Sequence, residues 1–204
     1  MLKAGPRPPV LRGLVLAGGR SERLGRDKAA LLINGETLLE RAVTLLEGLV
    51  TNVRVAVRRD QLTDGLRRRF SLVPDGYEGI GPAAGILAAH RLLPDSAWLV
   101  LACDMPRVTP GMLRMLVSRR EATRAGIAFR AAADGLAEPL CALYEPANLA
   151  RFLCQVEAGG NPSPRDWLAA AGFLLLDPPG PDALSSINTP GDLDSLASAG
   201  RAGQ

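Results

Sequence analysis

Apolar positions along the chain follow two rhythms that take turns, and the alternation predicts the fold. Runs with the length and branching of buried strands occur at Leu11, Leu14, Val15, Leu16 and Ala17 and again at 98–103. Val53, Val55 and Val57 alternate with Arg54, Ala56 and Arg58, the period of a strand near one edge of a sheet. Shorter extended segments are expected at 71–73, 127–130, 140–144 and 173–176. Between them a helical period takes over: Leu38, Leu39, Ala42, Val43, Leu45, Leu46 and Leu49 lie on one face of a helix over 37–49. Thr37 stands at its N-cap with Glu40 three positions on, a capping-box pattern. Further helices are expected at 82–93 behind Pro82, at 112–117 behind Thr109-Pro110, and at 148–157, 165–171 and 192–199. The apolar segment 29–33 ends in a tight turn at Asn34-Gly35. Strands alternating with helices predict a single-domain α/β fold, Rossmann-like and doubly wound, with a mainly parallel sheet and helices on both faces. Ligands of such sheets bind beyond the carboxyl ends of the strands.

Composition narrows the function classes. With 204 residues, 47% of them hydrophobic, the chain fits one domain, read here as residues 11–200 behind a flexible lead-in at 1–10. That lead-in has no apolar core of a secretory signal, and no apolar stretch reaches the ~20 residues of a membrane span. A net charge of +3 with the two signs interspersed, and only 4% aromatic residues, argue against nucleic acid as partner. Cys103, Cys141 and Cys154 lack metal-type spacing and are read as buried, reduced thiols, hence a cytoplasmic address. His90 is the single histidine, which excludes multi-histidine metal sites; its Ala/Leu-rich helical setting points to packing.

Three predicted strand ends carry polar chemistry. The first is Gly18-Gly19 followed by Arg20, Arg23, Arg26 and Lys28. Glycines let backbone N–H groups approach an anion, and the cations add full charge, which suits a nucleoside triphosphate. Neither the P-loop pattern nor Gly-x-Gly-x-x-Gly is present, since Gly18, Gly19 and Gly25 are spaced differently and Asp27-Lys28-Ala29 follows. The plain alternative is a surface turn with solvated arginines. The second is Asp104, ahead of Met105-Pro106 at the end of the strongest strand. It is either a Mg2+ ligand, a role that one carboxylate plus substrate phosphates can fill, or a turn aspartate. The third is Asp75 with the glycine-rich stretch 79–85. Asp75 reads as a second metal carboxylate, a ribose ligand or a turn residue, and the helix start behind Pro82 as a phosphate or ribose neighbour.

Leu16-Ala17-Gly18-Gly19, Arg23-Leu24-Gly25 and Asp27-Lys28 together resemble the signature of the MobA-type molybdenum cofactor guanylyltransferases, within the nucleotidyltransferase superfamily. The likeness extends to Asp75 with Gly81-Pro82-Ala83-Ala84-Gly85, to Cys103-Asp104-Met105-Pro106, to 138–144 and to Asn188-Thr189-Pro190, in the same order through nearly the whole chain. The resemblance implies that Leu16, Ala17, Gly18 and Gly19 hold nucleotide through backbone atoms. Lys28 would bind the phosphates with help from Arg23, Asp75 would contact the nucleotide, and Asp104 would bind nucleotide and Mg2+. Asn188 would lie towards the pterin. Lys28, Arg23 and Asp104 are thus the implied catalytic set. The implied reaction moves GMP from GTP to the terminal phosphate of molybdenum-molybdopterin and releases pyrophosphate. Transient contact with a molybdoenzyme or a cofactor-delivery protein is implied as well. Departures are Leu24 for the usual methionine, a lone Arg26 between Gly25 and Asp27, and Ala56 where relatives carry an asparagine. The alternatives are a cytidylyltransferase, a nucleotidyltransferase with another phosphorylated acceptor, and a non-catalytic nucleotide-binding protein of the same fold.

Overall fold

Two mainly apolar runs set the centre of the molecule. In the computed structural model, which describes residues 7–19, 25–189 and 191–192, these are β1 (Leu11–Leu16) and β6 (Ala97–Ala102), and every residue of β6 is buried. They pair in parallel from Leu11 opposite Ala97 to Leu16 opposite Ala102. On the other side of β1 lies β4 (Val53–Val57), then β5 (Leu72–Pro74), both parallel to it. Beyond β6 come β8 (Ala137–Tyr144), β7 (Gly126–Arg130) and β9 (Leu174–Leu176), giving a seven-stranded sheet in the order β5-β4-β1-β6-β8-β7-β9. Only β8 runs against its neighbours β6 and β7, so the sheet is mainly parallel. The Val53–Val57 strand lies one place in from the edge, as its half-polar pattern predicts.

Period-two alternation divides the strands between two cores. Val15, Leu99, Leu101 and Leu143 face one layer, with α1 (Leu38–Glu47) and α3 (Pro110–Ser118) packed on it through residues such as Leu39, Leu46, Leu113 and Leu116. Leu14, Trp98, Val100 and Tyr144 face the other, beneath α2 (Ala83–Leu92), α4 (Pro146–Glu157) and α5 (Pro164–Ala171). At about 25 cal/mol per Å2 of apolar surface, two such layers supply the main driving force of folding. Phe152 and Trp167 stack at 5.1 Å in the second layer, and Trp167 Nε1 donates to Asn148 Oδ1 at 2.8 Å.

Local signals hold where they have a mechanism. Thr37 caps α1 through the Glu40 N–H at 3.1 Å, while Glu40 accepts from the Thr37 N–H at 3.1 Å. Thr109 caps α3 through Met112 N–H. Asn34 and Gly35, at φ 53° and 85°, turn a small hairpin between β2 (Leu32–Ile33) and β3 (Glu36–Thr37). The apolar segment read at 29–33 is therefore two elements, a short 3-10 turn at Lys28–Ala30 followed by β2.

The cysteines need one correction. Cys103 and Cys141 are buried, but Cys154 is exposed, because it lies on the side of α4 opposite the inward Phe152. His90 is buried on α2 among apolar neighbours, and burial lowers its pKa, in keeping with a packing role. The helix expected at 192–199 lies outside the described residues from 193 onwards.

Candidate active site

Strand register assembles the site. Leu16 sits level with Ala56 and Ala102, and Val57 with Pro74, all on parallel strands. The residues that follow (Ala17-Gly18, Arg58, Asp75 and Cys103-Asp104) therefore emerge along one edge of the sheet. They open onto a cleft of about 1190 Å3. Leu16, Ala17, Gly18, Gly19, Lys28, Asp75, Asp104 and Asn188 all line it. Arg23 lies outside the described residues.

Lys28 is the meeting point. Its Nζ donates to Asp104 Oδ2 at 2.9 Å and to Asn188 Oδ1 at 2.8 Å. Those partners come from the end of β6 and the C-terminal segment, while Lys28 itself opens the short turn Lys28–Ala30, so three chain regions converge on one ammonium. The C-terminal segment is held by Ile187 N–H donating to the Asp104 carbonyl at 2.9 Å. Asp192 Oδ2 accepts from Asn188 and Thr189 N–H, both at 2.7 Å, and orders the turn that carries Asn188.

Asp27, the neighbour of Lys28, has a different use. Its Oδ1 accepts from Ala29 N–H at 3.1 Å and caps the short turn on which Lys28 rides. It also forms a two-pronged pair with the buried Arg67, at 2.5 and 2.8 Å. Burial opposes the charge on Arg67, but the Asp27 hydrogen bonds and the charges of Asp27 and Asp64 outweigh it and hold its pKa above the usual arginine value. Arg67 Nη2 also donates to the Ala17 carbonyl at 3.0 Å, and Arg58 Nη1 donates to the Gly18 carbonyl at 2.6 Å. Two guanidinium groups thus cover successive carbonyl dipoles that would otherwise repel an anion in this turn.

Asp75 faces the same cleft from the end of β5. Its Oδ1 is buried with no hydrogen-bond partner among the described residues. Burial raises its pKa from 3.8 to about 6, against an opposing pull from Arg58. Beside it, Gly85 on the first turn of α2 admits no side chain: a Cβ there would lie 2.7 Å from the Ala56 Cβ and 3.1 Å from Leu16 Cδ2. The α2 start is thereby drawn against β1 and β4, and its exposed backbone dipole opens on the cleft. Glu138 on β8 is raised in pKa by burial, with the Asp104 charge adding to the effect. Cys103 is pushed up to about 12 by burial and then by Asp104, so it is a packed thiol and no nucleophile.

Asp104 has the donor chemistry for a hard cation. Lys28 engages its Oδ2, and the side chain keeps one-fifth of its surface open. No cluster of three or more acidic, histidine or cysteine ligands occurs among the described residues. A cation here would take most of its ligands from phosphates and water, the habit of Mg2+.

Sequence reasoning missed Arg67 as part of this edge, since a run of three arginines at 67–69 reads as a solvated surface. Only the turn capped by Asp64, which accepts the Arg67 N–H at 2.9 Å, directs that one side chain inward.

A mainly parallel α/β sheet with a glycine turn, a lysine and two carboxylates at its carboxyl edge defines the nucleotide-handling class of the nucleotidyltransferases. Residues 13–172 match the MobA-like NTP transferase domain, and the chain belongs to that family. A probable molybdenum cofactor guanylyltransferase of Chloroflexus aggregans is 34% identical over 90% of this chain and 92% of its own length. A molybdenum cofactor biosynthesis bifunctional protein of Synechocystis is 30% identical over 95% of this chain, which spans only 56% of that longer protein. In fold, the chain superposes on molybdopterin-guanine dinucleotide biosynthesis protein A from Archaeoglobus fulgidus with a TM-score of 0.76 at 23% identity, covering 93% of this chain and 98% of that one. Among the described residues no helix is long and apolar enough to cross a membrane.

Proposed function

We propose that the chain transfers GMP from GTP to the terminal phosphate of molybdenum-molybdopterin, with release of pyrophosphate. The observation that carries this reading is the convergence of Asp104 and Asn188 on the Lys28 ammonium. It joins the phosphate turn to the opposite side of the cleft, and relatives that align with most of this chain bear the guanylyltransferase name. Leu16, Ala17, Gly18 and Gly19 hold the nucleotide through backbone atoms, and Arg23 assists with the phosphates. Asp75 takes a nucleotide N–H or O–H on its unpartnered oxygen. Asn188 faces the acceptor.

An acceptor phosphate is ionised at neutral pH, so its oxygen attacks the α-phosphorus without a protein base. The chain has to align two polyanions and neutralise their charge. Lys28 does this for the triphosphate, and its hold on Asp104 sets where the charge sits. Asp104 would hold Mg2+, which when bound supplies further charge neutralisation on the phosphates. Buried thiols and a phosphorylated pterin substrate suit a cytoplasmic enzyme that passes its product to a molybdoenzyme or a delivery protein.

The test is a panel of GTP, CTP, ATP and UTP with molybdenum-molybdopterin, scoring pyrophosphate with and without Mg2+. Release with GTP alone, dependent on Mg2+, is expected. Release with CTP in place of GTP overturns the choice of base. GTP uptake with no pyrophosphate from any acceptor makes the chain a binder.

A further inference from the structure

We propose that Arg67 is a positioning residue: a buried clamp that ties the end of β1 to Asp27 and thereby presents Lys28 to the substrate phosphates. The proposal rests on the nucleotide reading above and extends it to a residue that does not line the cleft.

Arg67 is 1% exposed, among the most buried side chains of the molecule, and charged. Its Nε and Nη2 donate to the Ala17 carbonyl at 3.3 and 3.0 Å, at the point where the chain leaves β1. Its Nη1 and Nη2 donate to the two Asp27 oxygens, at the point where the chain returns. One guanidinium therefore bridges the Ala17 carbonyl to the Asp27 carboxylate. Asp64 fixes the clamp from behind, accepting the backbone N–H of Arg67 at 2.9 Å and of Leu66 at 3.2 Å, and Nη1 at 3.3 Å. From Asp27 the contacts pass to Ala29 N–H, which its carboxylate caps, and so to the turn bearing Lys28 and its bonds to Asp104 and Asn188.

The physical reason for arginine is geometric. A planar fork reaches a carbonyl on one side and both carboxylate oxygens on the other, which a single ammonium cannot do. A buried ion pair is a poor device for stability alone, since well-packed apolar residues often serve as well or better. Its use is specificity, here in holding Asp27 and the Lys28–Ala30 turn against the end of β1. Without the clamp, the arrangement competent for nucleotide is a fraction of the ensemble, and apparent affinity falls by that fraction.

Arg67→Lys keeps the charge and loses the fork. Asp27→Asn keeps an oxygen for the Ala29 N–H and loses the pair from the solvent side, so it tests the clamp even if the buried substitution fails to fold. Wild type and both variants are compared by amide hydrogen exchange over residues 25–31 without nucleotide, by titration with GTP and Mg2+, and by kcat at saturating GTP. Both variants are expected to exchange faster over 25–31 and to bind GTP about tenfold more weakly, with kcat changed less than about threefold because bound triphosphate restores the turn. A fall in melting temperature with exchange and GTP affinity unchanged makes Arg67 merely structural and overturns the proposal. Should wild type itself take up no GTP, the nucleotide reading fails, while faster exchange in both variants still establishes the clamp.

Discussion

Replacing Asp75 with asparagine is expected to make the protein more stable at neutral pH and worse at binding nucleotide. The reason is the unpartnered Oδ1 of a carboxyl that burial raises from 3.8 to about 6. The folded chain binds the Asp75 proton more tightly than the unfolded chain does. Its favourable contribution is therefore fully present below about pH 4 and is lost as pH rises through about 6. Above about pH 7 the wild type carries an ionised, poorly solvated carboxylate. At ~1.36 kcal/mol per pKa unit the whole shift corresponds to about 3 kcal/mol. The side chain lines the open cleft, so solvent screening reduces this to about 1–2 kcal/mol. For a chain of this size that is about 3–6 °C in melting temperature. The amide of the Asp75→Asn variant stays neutral at every pH and escapes the penalty. Thermal unfolding of the two proteins from about pH 4 to about pH 8 is the assay, and the gap should open between those limits and level off above about pH 7. A gap that does not depend on pH, or a variant less stable than wild type at about pH 8, refutes the reasoning.

The same carboxylate accepts a nucleotide N–H or O–H much more strongly when ionised. The GTP affinity of wild type should then fall by about tenfold from about pH 7 to about pH 5 relative to Asp75→Asn, which carries only the titration of the phosphate itself; parallel pH profiles count against nucleotide contact. Asp104→Asn is expected to abolish transfer with the melting temperature nearly unchanged, and undiminished turnover at saturating Mg2+ would remove it from the mechanism. Lys28→Ala should raise the GTP dissociation constant by about tenfold or more, since it deletes a charge-assisted contact worth about 1.5–3 kcal/mol; isothermal titration reads this directly. Gly85→Ala drives a methyl to 2.7 Å from the Ala56 Cβ and should cost about 1–3 kcal/mol by overpacking. Chemical denaturation measures that loss, and a neutral result would mean that α2 moves away from the sheet without penalty.

The sequence by itself determines the elements with a local cause. Thr37 and Glu40 specify the start of α1, Thr109-Pro110 that of α3, and Asn34-Gly35 a hairpin turn, because each acts through atoms only a few residues apart. It also determines that Ala17-Gly18, Asp75 and Asp104 come at strand ends, since the apolar runs stop there. What lies between distant segments is decided only by the tertiary structure. Parallel register sets Leu16, Ala56 and Ala102 abreast and so gathers those ends along one edge. Lys28 reaches Asn188 across 160 positions, and no local pattern contains that contact. Arg67 looks like its solvated neighbours Arg68 and Arg69 until the fold buries it between Ala17 and Asp27. Asp27 likewise reads as part of a binding motif, whereas its carboxylate is committed to Arg67 and to the Ala29 N–H. Cys154 shows the converse, an apolar-looking residue left on the outer side of α4. Backbone periodicity is a short-range property written into the order of residues. The use of each charge depends on which other charge the packed sheet and helices bring within hydrogen-bond reach.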